Sequence, residues 1–225
     1  MQALIDRLEA LRENSMTYGS AISDMIGTRR VPNDPRYGCF FLIHNKATVT
    51  TEVLDYFLKV WKNYEPVRED LRARLLMEEN TERCVEITRS LFVGCMSVVE
   101  HCAKRSLAIY PDSRLSKRLD ELRSRNRYIF LKGIIQESGS LELIPKEQET
   151  EWMNVMLLRN LAVHNNSISD TNTDIEVGGR SFNLRSGEMM RGDLDTYVLL
   201  SERSMELFHR WICRLDYDAL SNPIE

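Results

Sequence analysis

The segment that most constrains the fold is residues 152–163, the most apolar stretch of the chain. Nine of its twelve residues are apolar. Wound into a helix, they cover most of the circumference, and such a helix needs protein on nearly all sides. The segment therefore predicts a helix at the centre of a bundle, or one that lies in an oligomer interface.

The remainder of the chain also has helical periodicity. It contains only ten Gly and six Pro in 225 residues, too few for a loop-rich β-sandwich, whereas its Leu, Arg, Glu and Met favour helix. Thr51 and Thr81 are candidate helix caps, and Pro66 is a candidate first residue of a helix. The apolar spacing predicts helices over 4–25, 53–61, 67–76, 81–110, 116–137, 146–163 and 194–215.

The exceptions to helix are short. Residues 27–37 and the polar stretch 165–174 predict loops, the second of them flexible. Alternating apolar residues on either side of Gly178 and Gly179 predict a hairpin. We therefore expect an all-α, antiparallel helical bundle with a small β-hairpin insertion and an N-terminal helical extension.

Charge and cysteine content exclude several classes of protein. A net charge of -4 argues against a general coat for duplex nucleic acid but leaves room for a local basic surface. The five cysteines form no C-x-x-C pair, which makes a disulfide framework or structural zinc site unexpected. No window approaches the roughly 18 apolar residues of a membrane span, and the N-terminus lacks a secretory pattern. We expect a cytoplasmic protein without membrane contact, metal or cofactor.

Arg159 interrupts the apolar segment. It projects from the middle of the stripe, seven residues after Trp152, and an unpaired buried guanidinium costs several kcal/mol or more. Two explanations are open. Arg159 could form a structural ion pair with Glu100, which stands in an otherwise apolar turn of a neighbouring helix, or it could bind an anionic ligand.

Asn160 and His164 follow Arg159 at informative spacings. Asn160 and His164 are four residues apart and share a helix face. Arg159 and His164 are five apart, about 140° around an ideal helix, so they converge only where the helix ends or where two copies meet. A second Arg to His spacing, Arg203 to His209, is explained by the polar face of an amphipathic helix.

The string Arg159-Asn160-Leu161-Ala162-Val163-His164-Asn165 resembles the signature of the HEPN superfamily, the higher-eukaryote and prokaryote nucleotide-binding domains. The resemblance extends over residues 80–217 and is sharp only in these seven. It leaves residues 1–79 as an N-terminal helical extension and 218–225 as a C-terminal tail. It implies a homodimeric, metal-independent endoribonuclease, a toxin or antiviral defence effector, with RNA as substrate and an antitoxin or regulatory protein as a further partner.

Each residue suits a role in that reaction. An imidazole exchanges a proton near neutral pH, so His164 can take a proton from the RNA 2′-hydroxyl. Arg159 offers a planar fork of donors to phosphate oxygens, and Asn160 can orient His164 or bond a phosphate oxygen. Asn165 is a candidate RNA contact, and a locally basic helix supplies three more: Arg123, Arg125 and Arg127. The alternative, from another class, is a non-catalytic RNA-binding or protein-interaction module in which Arg159 is paired with Glu100.

Overall fold

The computed structural model describes residues 2–64, 71–124, 128–164, 167–190 and 192–221. Within these ranges the chain forms seven α-helices and one two-stranded antiparallel hairpin, which confirms the all-α prediction with its small β insertion. Among the described helices, none is both long enough and apolar enough to cross a membrane. The elements are α1 (Gln2–Ile26), α2 (Pro35–Tyr64), α3 (Leu71–Leu107), α4 (Arg114–Ser124), α5 (Leu131–Ser140), α6 (Lys146–His164), β1 (Thr173–Val177), β2 (Arg180–Leu184) and α7 (Thr196–Ser221).

Two of the predicted helix starts are wrong. Thr51 lies inside α2, where its hydroxyl donates to the carbonyl oxygen of Ala47 at 2.8 Å. Thr81 lies inside α3, ten residues after that helix begins. Threonine binds backbone groups in both settings, a cap or the preceding turn, so residue type alone does not distinguish them. Pro66 lies outside the described residues.

The single helix expected over 116–137 is two helices. Between α4 and α5, residues 128–130 belong to no helix, and Phe130 is extended, with φ -97° and ψ 169°. Ile129 packs against the core while its two neighbours face solvent, the alternation of an extended segment.

The long helix α3 is the centre of the fold. At 37 residues it is about 55 Å long, and it packs against α2, α5, α6 and α7. Helix α1 pairs with α2 and also contacts α7. The largest fully buried apolar side chains come from four of these helices: Phe40, Phe92, Trp152, Phe208 and Trp211.

A buried polar network joins the start of α2 and the loop before it to the segment after α3 and to α7. Arg36 is 1% exposed; its Nε donates to both carboxylate oxygens of Asp34 at 2.9 and 3.1 Å, and its Nη1 donates to the Tyr110 hydroxyl at 2.5 Å. Tyr110 in turn donates to Asp216 of α7, which also accepts from Arg29 at 2.7 Å. Burial raises the pKa of Tyr110, and its bond to the Asp216 carboxylate raises it further. The tyrosine therefore stays protonated as a donor.

The hairpin is fixed to the helices by one glutamate. Gly178 and Gly179 have φ of 58° and 77°, the left-handed values that a two-residue hairpin turn requires. The Gly178 N–H donates to Glu151 Oε1 of α6 at 2.9 Å, and Glu151 also accepts from Arg203 of α7 at 2.7 Å. Burial raises the pKa of Glu151, but these bonds outweigh it and the net pKa is lowered.

All five cysteines are free thiols. Cys39 lies in α2, and Cys84, Cys95 and Cys102 lie in α3; these four are buried, whereas Cys213 in α7 is half-buried. Burial raises the pKa of Cys95 to about 12 and that of Cys84 to about 11. These two thiols remain protonated at neutral pH.

Candidate active site

Helix α6 is covered on one side by its own chain. Trp152, Val155 and Leu158 are buried against α3, α5 and α7. On the opposite side Met153, Met156 and Leu157 are half-buried, and Val163 is 40% exposed. The expected cover on nearly all sides is therefore incomplete in a single chain.

Arg159 lies at the edge of the buried side and is half-buried. Its Nη1 donates to the Asn160 side-chain oxygen at 3.2 Å. The expected pair with Glu100 is not formed: Glu100 accepts from Lys104, four residues further along α3, at 2.6 Å. Lys104 satisfies that carboxylate locally, because residues four apart face each other on a helix. In the described part of the chain, no acidic side chain pairs with Arg159.

Asn160 and His164 are both exposed and share one helix face, as predicted. His164 is the last residue of α6. Because the helix persists to that point, Arg159 and His164 are separated by about 140° and about 7.5 Å along the axis. One chain brings Arg159 to Asn160 but does not direct Arg159 and His164 at one point.

The chain beyond α6 is held to the hairpin region. Ser167, at φ 64°, donates its N–H to the carbonyl oxygen of Leu161 at 3.0 Å and accepts from Met190 N–H at 2.7 Å. Ser169 donates its N–H to the carbonyl oxygen of Glu188 at 3.0 Å. The polar stretch predicted as a flexible loop is thus tied by backbone hydrogen bonds at residues 167–169 and enters β1 at Thr173. Asn165 lies outside the described residues.

Three exposed apolar side chains lie around this helix end, and two of them, Ile168 and Met189, belong to no pattern that the sequence predicts. Val163 precedes His164, and Ile168 and Met189 face each other across an isolated antiparallel bridge. They are 40%, 41% and 58% exposed. Ile168 lies in a polar loop and Met189 after the hairpin, where no periodic pattern indicates an apolar surface, whereas Val163 belongs to the apolar helix α6.

The predicted RNA contacts on the basic helix are only partly described. Arg123 is exposed at the end of α4, and its Nη1 donates to Asp120 Oδ1 at 2.7 Å. Arg125 and Arg127 lie outside the described residues. Exposed pairs of this kind contribute little to stability, so Arg123 remains available to a stronger anion.

Arg203 and His209, the second match to the spacing, have a different environment. The guanidinium of Arg203 is held by Glu151 at 2.7 Å and by Glu206, and the Glu151 bond raises its pKa. The ring of His209 packs 4.5 Å from that of Tyr18, and burial lowers its pKa. These contacts give this Arg and His structural roles and distinguish them from Arg159 and His164.

The described residues also form cavities away from His164. An apolar groove of about 600 Å³ lies between α2 and α3 and includes Lys46. A polar cavity of about 1170 Å³ lies between α6, the hairpin and α7, around Glu151 and Arg203. Over the described ranges, no three His, Cys, Asp or Glu side chains converge as metal ligands would.

Comparison with known proteins finds no relative: no family model, no curated protein and no solved structure matches the chain. The likeness to HEPN proteins is therefore carried by residues 159–165 and the helix order alone, and it stays a prediction.

Proposed function

We propose that the chain is a metal-independent endoribonuclease of HEPN type that acts as a homodimer, with Arg159 and His164 as catalytic residues. The observation that carries the proposal is the guanidinium of Arg159, which is half-buried and has no acidic partner among the described side chains. Arg203, by contrast, is neutralised by two glutamates. A half-buried cation without a carboxylate is suited to an anionic ligand such as a phosphodiester.

The proposed reaction is attack by the RNA 2′-hydroxyl on the adjacent phosphorus. The imidazole of His164 takes the hydroxyl proton, the 2′-oxygen bonds to phosphorus, and the bond to the 5′-oxygen breaks. The products are a 2′,3′-cyclic phosphate and a 5′-hydroxyl end. Arg159 stabilises the negative charge that grows on the non-bridging oxygens, and Asn160 orients the guanidinium through the bond between their side chains.

A dimer accounts for the divergence of Arg159 and His164 within one chain. The departing 5′-oxygen needs a proton while the 2′-hydroxyl loses one, so two imidazoles in opposite protonation states are better than one. A two-fold axis at the end of α6 supplies a second His164 and a second Arg159. The apolar side chains Val163, Ile168 and Met189, each at least 40% exposed, are the surface that such a contact would bury.

The test is RNA cleavage by the purified protein in the presence of EDTA. We expect cleavage that leaves a 2′,3′-cyclic phosphate, detected by mass spectrometry. His164→Ala should lower the rate about 10² to 10⁴-fold, the usual value of a general acid or base, and Arg159→Ala should lower it comparably. His101→Ala is the matched control, because His101 is also an exposed helical histidine. Equal cleavage by wild type, His164→Ala and Arg159→Ala would refute the proposal.

The dimer has its own readout. Size-exclusion chromatography with light scattering should give twice the 26.3 kDa chain mass for the wild type and a monomer for Val163→Asp, which places a charge in the apolar surface. The monomeric variant should also lose cleavage. If wild type is active as a monomer, the composite site is wrong. Growth arrest on expression, relieved by His164→Ala, would support a toxin or defence role.

The non-catalytic alternative predicts the reverse pattern. If Arg159 served only to fix packing, Arg159→Ala should lower thermal stability substantially while His164→Ala changed little, and neither should affect RNA. The pairing of Glu100 with Lys104 favours the catalytic proposal, because it removes the acidic partner that this alternative requires.

A further inference from the structure

Two aromatic side chains between α4 and α5 face solvent. Tyr128 is 90% exposed and Phe130 is 62% exposed. Residues 128–130 belong to no helix or strand; Ile129 packs against the core, while the rings of Tyr128 and Phe130 both face solvent. Two adjacent exposed rings leave a contiguous apolar area in water, and such contiguous patches often mark binding sites.

The two rings are neighbours and lie beside a cation. Their centroids are 6.5 Å apart, with 31° between the planes. Lys104 of α3 places its Nζ 5.5 Å from the Phe130 centroid, within the range of a cation–π contact. Lys132, two residues after Phe130, is exposed.

The sequence on either side of the rings is basic, and the acid beside them is Glu100 of α3, which pairs with Lys104 at 2.6 Å. Residues 123–132 contain four basic residues and no acidic one. Alternating cations and exposed rings are suited to single-stranded nucleic acid, in which phosphates meet the cations and unpaired bases stack on the rings. An apolar protein partner would not require the positive charge, and a duplex would keep its bases inside the helix.

We propose that Tyr128 and Phe130 form a stacking platform for two unpaired nucleobases of single-stranded RNA, with Lys104 and Lys132 close to its phosphates. This names the form of RNA that the proposed ribonuclease takes, and in that sense it rests on the proposed function. The platform binds bases without regard to sequence, since every base has a π-face. It is a binding surface and takes no part in the bond-breaking step.

The experiment measures binding without cleavage. Fluorescein-labelled 12-nucleotide oligo(A) is titrated with the His164→Ala protein at about 100 mM salt, and anisotropy gives Kd. Tyr128→Leu and Phe130→Leu should each raise Kd about tenfold, the order expected for one stacked base. Phe130→Tyr keeps a ring and should keep the affinity.

The controls separate stacking from charge and from folding. Tyr217→Leu is the matched control, because Tyr217 is a 69% exposed ring elsewhere, on α7, and it should leave Kd unchanged. Oligo(A) annealed to its complement should bind more weakly than the single strand. Circular dichroism melting of each variant verifies that the fold is kept.

Three outcomes overturn the platform: no binding of oligo(A), equal Kd for the ring variants and their parent, or equal loss in Tyr217→Leu. The proposed function fails separately. If the ring variants lose binding while wild type cleaves no RNA, the platform stands and the nuclease does not. If wild type cleaves RNA while the ring variants bind oligo(A) as tightly as their parent, the nuclease proposal stands and the platform proposal fails.

Discussion

Replacing Arg36 by Met should be among the most destabilising single changes in this chain. The substitution keeps a long apolar stem but removes the donors to Asp34, to the Tyr110 hydroxyl and to the carbonyl oxygen of Arg29. Asp34, which is 1% exposed, would keep only the backbone N–H groups of Val31 and residue 36, at 3.3 and 3.0 Å. Breaking a buried ion pair by removing one partner costs about 3 to 5 kcal/mol.

The loss of stability in Arg36→Met has an upper limit, because Asp34 can become neutral by binding a proton instead of remaining a buried, unpaired charge. Holding an ordinary aspartate protonated at pH 7 costs about 4 kcal/mol, so we expect a loss of about 3 to 4 kcal/mol at that pH. For a chain of this size each kcal/mol lowers Tm by about 2 to 4 °C, which predicts a fall of roughly 6 to 16 °C. Urea unfolding followed by circular dichroism measures the free energy directly.

The pH dependence gives a second check. Burial raises the pKa of Asp34, but the hydrogen bonds from Arg36 and from the two backbone groups outweigh it and the net pKa is lowered. A lowered carboxyl pKa stabilises the fold above the unfolded value of about 3.9 and ceases to do so as pH falls through the folded value. In Arg36→Met the buried carboxyl of Asp34 loses its cation, and burial then raises its pKa. The cost of protonating it falls as pH approaches the unfolded value, so the penalty of the substitution should shrink between pH 7 and pH 4.

The control is Arg83→Met, which removes an exposed ion pair with Glu79 on α3 and should cost under about 0.5 kcal/mol. Adding Asp34→Asn to Arg36→Met should recover part of the loss, because residue 34 then carries no unpaired buried charge, while Asp216 keeps its pair with Arg29. A penalty below about 1 kcal/mol, or one that does not change with pH, would show that the network does not hold the fold as described.

Two further effects follow from the hairpin and from Asp34. Gly178→Ala should destabilise the protein by more than Gly179→Ala in the same urea assay. Both positions have positive φ, so both substitutions strain the backbone. A Cβ at Gly178 would in addition lie 2.9 Å from Cδ of Arg203, whereas a Cβ at Gly179 would have no atom within 4 Å. Equal losses would mean that Arg203 moves aside at no cost. Asp34→Asn should flatten the acid side of the stability curve below about pH 4 relative to wild type, because it removes a carboxyl whose pKa is lowered by folding; an unchanged slope of unfolding free energy against pH would mean that other carboxyl groups cause the loss of stability in acid.

The helical class, helix α6 and the hairpin turn could be predicted because each has a strong local cause. The apolar run in 152–163 and the Gly178-Gly179 pair leave few alternatives. The starts of α2 and α3 could not, because a threonine that binds the turn before it looks like a threonine that caps a helix. The non-helical residues 128–130 were missed because Ile129 follows Leu122 by seven residues, a helical spacing that arises here by coincidence.

The site was predictable in its residues and not in their environment. The spacing correctly put Asn160 and His164 on one exposed face. The predicted pair of Glu100 with Arg159 was wrong, because Lys104, four residues away on the same helix, pairs with Glu100 instead. The exposed pair of Ile168 and Met189 depends on a bridge between distant segments, for which a single sequence contains no local pattern.

The reaction rates of the buried thiols can report how often the core opens around each of them. A thiol reagent reaches Cys39 only when the chain around it opens, and Cys84, Cys95 and Cys102 likewise, while the half-buried Cys213 is more accessible from the start. With one cysteine kept at a time, labelling rates would report opening around α2, α3 and α7 separately. Equal labelling rates at Cys39 and Cys95 would mean that the N-terminal helices open only when the whole protein unfolds. A faster rate at Cys39 would mean that they open separately from the rest of the fold.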